Sequence, residues 1–160
     1  MPPPPRRAVD YGAAVYGSVL VAALVAAEFE SDVDARAMTL TLFATTIVFW
    51  LAHVWSEALG ERIAGDATTL RRLRGIAVAE WPLVEAGFVP AALLALSWIG
   101  VYSRETGAVL ALAAAVLQLF GWGFLAAWRT EQRLAVGFLS AVVNGALGGA
   151  IVVLEVLVLH

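Results

Sequence analysis

Of the chain's 160 residues, 61% are hydrophobic and only 14% are charged, against about 45–50% and about 25% in average soluble chains. With a mean hydropathy of +0.84, it belongs to the membrane class. It contains no Cys, which excludes disulfides, thiolate metal sites and cysteine nucleophiles, and a net charge of −3 with a pI near 5.3 gives no support to nucleic-acid binding.

The chain opens on MPPPPRR, a tail whose prolines cannot form a helix interior. Residues 11–29 follow as an apolar run, about 28 Å long as a helix. Arg6-Arg7, the apolar core and Val25-Ala26-Ala27 imitate a signal peptide; the segment is read here as a retained spanning helix. The acidic connector EFESDVDAR leads into residues 37–59, AMTLTLFATTIVFWLAHVWSEAL. These are enough to cross ~30 Å of hydrocarbon. Thr39, Thr46 and His53 recur every seven residues along that helix and Glu57 follows by four, which places a polar stripe on one face, with Phe43 and Trp50 between. Ionisable groups in hydrocarbon cost several kcal/mol, so such a stripe must face protein or water.

Residues 60–75, GERIAGDATTLRRLRG, are the most hydrophilic internal stretch. Asp66 or Thr68 can N-cap a short helix through Arg74. Leu70 and Leu73 against Arg71, Arg72 and Arg74 fit a segment lying on the membrane surface as well as a solvated loop. Trp81-Pro82 suits the start of a third span, 81–102, with Pro90 kinking it near mid-membrane. A turn at 103–105 leads to a fourth span, 106–128, and RTEQR returns the chain to a fifth, 134–159.

The expected fold is therefore all-α: a polytopic bundle of five transmembrane helices in one domain over residues 1–160. Every basic residue is Arg. With the N-terminus inside, Arg6, Arg7, Arg62, Arg71, Arg72, Arg74, Arg129 and Arg133 are cytoplasmic and only Arg36 and Arg104 lie outside. That asymmetry predicts an inner (plasma) membrane protein with its C-terminus outside.

In this orientation His53, Glu57, Glu80 and Glu85 share the cytoplasmic half, and Thr46, Gln118, Asn144 and Glu155 extend a discontinuous polar track through the bundle. Three readings compete. The cluster lines a path for protons, ions or a small solute. Alternatively, His53 and Glu57 at i, i+4 with Glu85 bind a divalent metal in a membrane enzyme, although the HExxH pattern is missing. In the third reading the protein is a structural or assembly subunit without turnover. Glu57 and Glu80 then pair with Arg62 or Arg74, and His53 bonds Glu85 to fix helix packing. No nucleophile elbow, P-loop, dinucleotide fingerprint or Cys/His array occurs, and the sequence implies no particular cofactor.

The last span carries a packing signal. Gly137, Ala141, Gly145 and Gly149 recur every four residues, beside a second ridge of Ser140, Asn144 and Gly148; such small ridges let helix backbones approach closely. Ala14, Ser18, Ala22 and Ala26 form a similar row in the first span. These ridges serve packing within one subunit or a homo-oligomer in the lipid bilayer. Through FWLAHVWSEALGERI (49–63), EWPLVEA (80–86) and the NGALG stretch beginning at Asn144, the chain resembles small five-helix integral membrane proteins of actinobacterial genomes. That resemblance implies a five-helix membrane fold, and no activity or site residue comes with it.

Overall fold

The computed structural model describes residues 11–29, 32–63, 69–131 and 133–159, with side chains described except at 130–131, 151–152 and 154–159. Among them every regular element is helical: α1 (Tyr11–Phe29), α2 (Ala35–Ile63), α3 (Leu70–Ala79), α4 (Pro82–Trp98), α5 (Arg104–Glu131) and α6 (Leu134–Leu159). The apolar helices mark a membrane protein. Within the described residues, α1, α2 and α5 are each long and apolar enough to cross a membrane, and the bent pair α3–α4 makes a fourth if counted as one span.

Small residues decide which helix lies inside. Helix α1 buries Ala13, Ala14, Gly17, Ser18, Val21, Ala22, Val25 and Ala26, a face of narrow side chains that admits neighbours closely. It packs against α5 and α4 on that face and touches α6 and α2 as well. Gly17 is the closest approach: a Cβ there would lie 2.6 Å from the Leu83 carbonyl oxygen and 2.9 Å from Leu83 Cα. Helix α2 packs on α4 from outside and α6 on α5. Val21, Ala22, Val25, Met38, Leu42, Ala91, Leu94, Ala108, Ala111 and Ala115 form the main core.

Helix α3 explains the hydrophilic stretch. The Thr69 hydroxyl caps its first turn, accepting from the Arg72 amide at 3.4 Å. The cap is thus one residue beyond Thr68, and Asp66 and Thr68 lie outside the described residues. The apolar face of α3 closes on α2: Ile76 is buried with Val54 and Ala58, flanked by Trp50, Leu73 and Ala77. The Trp50 indole Nε1–H donates to the Ala77 carbonyl at 3.0 Å and fixes the contact. At Glu80–Trp81 the path bends by 44° into α4, where Pro82 takes the first helical position at no hydrogen-bond cost. Helix α4 thus begins directly after Trp81. Helix α4 continues through Pro90 and ends at Trp98, short of Tyr102.

Gly100 ends α4 with φ 82, the left-handed conformation glycine accepts without steric cost. The Val101 amide reaches back to the Leu96 carbonyl at 3.0 Å, so the exit is a Schellman cap. The Tyr102 hydroxyl then donates to the Leu93 carbonyl at 2.6 Å. One turn on, Arg104 Nη1 donates to the Phe29 and Val33 carbonyls at 3.3 and 3.4 Å, tying the start of α5 to the α1–α2 connector.

Candidate functional site

The polar stripe of α2 divides between two neighbours. An α-helix drifts by ~20° per heptad from a strict seven-residue repeat, so residues seven apart need not share a partner. Thr39 and Thr46 turn inward and bond to their own helix: Thr39 Oγ1 donates to the Ala35 carbonyl at 2.7 Å, and Thr46 Oγ1 lies 3.1 and 2.9 Å from the Leu42 and Phe43 carbonyls. The Thr46 methyl packs against Gly87 of α4, where a Cβ would sit 3.1 Å from it. Buried Thr46 is thereby a contact between α2 and α4, with its hydroxyl turned back on its own backbone.

His53, one heptad on, meets α1 instead. Its ring lies 4.9 Å from that of Tyr16 on α1, and Nδ1 lies 3.3 Å from the Phe49 carbonyl. The hydrogen bond between His53 and Glu85 supposed in one of the three readings does not form: His53 is committed to α1 and its own helix. Glu85 stands exposed at the start of α4 beside Trp81 and Pro82. Glu57 is exposed on α2, while Glu80 is half-buried at the end of α3, its amide donating to the Ile76 carbonyl. Among the described residues, no three His, Cys, Asp or Glu side chains are placed to hold a metal ion. His53, Glu57 and Glu85 therefore do not make the three-ligand set considered from their spacing.

An ion pair between α2 and α3 joins Arg72 Nε and Glu61 Oε2 at 2.7 Å. Arg72 is only 38% exposed and Glu61 15%, so the pair closes the chain between α2 and α3. The sequence singled out Arg72 as part of a basic face but not Glu61 as its partner, since an ion pair between two helices leaves no periodic signature. Ring contacts carry the rest of this end. Phe43 stacks on Phe88 at 6.0 Å, and Trp50 meets Trp81 edge-on at 5.5 Å. Tyr11 contacts Trp122 at 6.2 Å and accepts a hydrogen bond from Arg129.

The remaining track residues lie apart from this cluster. Asn144 on α6 donates to the Ser140 carbonyl at 2.8 Å and fits opposite Gly123 of α5, where a Cβ would be 2.6 Å from its Nδ2. Gln118 on α5 keeps Oε1 buried without a hydrogen-bond partner. Glu155 lies on α6, and its side chain is outside the described residues. Along the small ridge, Gly137 faces Phe124, Ala141 is buried, Gly145 lies under the Phe120 ring and Gly149 is open. Gly137 and Gly145 are thus used against α5. No family model, curated protein or solved structure matches the chain.

Proposed function

We propose that this protein is a structural or assembly subunit of the bacterial plasma membrane, a five-span bundle that works as a packed body rather than as a conduit. The observation that carries this reading is the way the interior treats polar groups. Ser18 bonds to the Ala14 carbonyl, Thr46 to Leu42 and Phe43, and Asn144 to Ser140. Each of these three side chains bonds to its own helix, and the closest helix-to-helix approaches are made at glycines, Gly17 on Leu83 and Gly87 on the Thr46 methyl among them. A path for protons or solutes needs polar groups that face one another across helices, and here His53 meets Tyr16 while Glu57 and Glu85 are exposed.

The fifth span in this reading is α6, whose 26 residues extend for about 39 Å. Helix α3 lies along the cytoplasmic surface with its arginines in the headgroups, and α4 crosses alone. The arginine asymmetry sets the N-terminus inside. Cysteines introduced at exposed positions test it directly, since the chain has no native Cys. In intact cells, an impermeant thiol reagent should label Val101→Cys and spare Arg71→Cys; the reverse pattern inverts the topology.

Turnover is tested in liposomes. Purified protein should pass no proton, cation, anion or small-solute flux above empty vesicles. A flux that His53→Ala or Glu85→Gln abolishes would overturn the structural reading. One observation keeps the path reading in play, the buried and unpartnered Gln118 Oε1, because a water there would restore its missing bond. A flux lost in Gln118→Leu would place the path at α5.

A further inference from the structure

We propose that the groove between α2, α3 and α4 is a binding site for a phospholipid with a primary-amine, ethanolamine-type headgroup. Trp50, Arg74, Ala77, Val78, Trp81, Pro82 and Glu85 line a cavity of about 380 Å³. It opens where the amphipathic α3 turns by 44° into α4. An amphipathic helix lies at the boundary of headgroups and acyl chains, and the amphipathic Trp ring favours the same depth.

Charge selects the occupant. Arg74 and Glu85 have opposite signs and line one groove, yet neither side chain makes an ion pair or hydrogen bond among the described residues. Two positions along α3, Arg72 is paired with Glu61 at 2.7 Å, so the local geometry permits pairing and Arg74 is left over. Separated, unpaired charges of both signs on an apolar wall match an amphiphilic zwitterion. The guanidinium takes the phosphate through its planar fork of donors. The carboxylate accepts from the ammonium, whose three N–H groups need acceptors. Trp50 and Trp81, edge to face at 5.5 Å, supply apolar flanks and a face for the cation. A choline headgroup carries no N–H for Glu85. A glycerol headgroup carries no cation and would set an anion against the carboxylate. The assignment holds whether or not the bundle has turnover of its own.

Native mass spectrometry of the delipidated full-length protein tests it, titrated with phosphatidylethanolamine, phosphatidylcholine and phosphatidylglycerol of identical acyl chains. Phosphatidylethanolamine should bind about tenfold tighter than phosphatidylcholine. Glu85→Gln should erase that preference without weakening phosphatidylcholine. Arg74→Gln should weaken phosphatidylethanolamine about tenfold, and Arg71→Gln, outside the groove, should change nothing. All three side chains are exposed, so the variants should keep the wild-type melting transition; should one not fold, the wild-type lipid series alone decides. Equal binding of the three lipids, a preference that survives Glu85→Gln, or tighter phosphatidylglycerol binding would overturn the proposal. So would equal competition by the soluble glycerophosphoethanolamine headgroup, which would assign the site to a free metabolite.

Discussion

Helices α1 and α2 are neighbours in sequence and both are apolar enough to span a bilayer, yet a larger share of α1 than of α2 is buried. Hydrophobicity does not separate them, because lipid tails reward an apolar side chain as well as a protein interior does. Side-chain size does. The buried face of α1 has no residue larger than Val, while α2 carries Leu40, Val48, Leu51, Trp55 and Leu59 on its outward surface. The helix that carries the polar stripe is peripheral, and the one with the smallest side chains is the hub.

The sharpest way to break that contrast is to enlarge the hub. Gly17→Leu forces side-chain atoms into the Leu83 backbone, 2.6 Å away, which cannot rotate aside. A loss of about 3 kcal/mol or more is expected, read as a collapse of the melting transition in detergent. The same change on α2 at the exposed, uncontacted Gly60 should leave the transition close to wild type, and equal effects at both positions would remove the distinction. Gly145→Leu is expected to cost less, about 1–2 kcal/mol, because the obstacle is the Phe120 ring, itself 37% exposed and able to swing towards lipid.

Smaller effects sharpen the picture of α2. Trp50→Phe keeps the ring contacts and removes the donor to Ala77, so a loss of about 1 kcal/mol is expected. Faster proteolysis of the 60–75 segment should accompany it. Least of all, His53→Ala and Glu85→Ala should add within about 0.5 kcal/mol in a double-mutant cycle, since His53 bonds to Phe49 and lies against the Tyr16 ring while Glu85 is exposed. A coupling of 1 kcal/mol or more would reunite the pair.

Helix positions were legible because an apolar run between polar breaks is a local property: the first and last apolar segments, 11–29 and 134–159, are also the bounds of α1 and α6. The short helix before Trp81-Pro82 was half legible, through Leu70 and Leu73 against three arginines, but its extension to Ala79 was hidden in an apolar stretch that fits either helix. The relation of His53 to Glu85 was not legible. Depth along two antiparallel helices can be counted from sequence, but azimuth cannot, and the Tyr16 ring that takes up His53 has no periodic mark. Gly17 had a readable signal in the small-residue row of its helix, one position before Ser18; the closeness of its contact depends on Leu83, a partner that only the folded chain supplies.

The corner between α4 and α5 has a consequence for how the chain assembles. Gly100, the Val101–Leu96 bond and the Tyr102–Leu93 bond close the turn within ten residues of chain, and Gly107 is so close to Ser97 that a Cβ would lie 2.6 Å from the serine's own. All these contacts are short-range, so the loop-closure entropy they require is small and they form early. The two helices can therefore dock together as a preassembled hairpin that carries the Arg104 guanidinium with it. The Phe29 and Val33 carbonyls, made earlier in translation, receive their hydrogen bonds from Arg104 only when that hairpin docks.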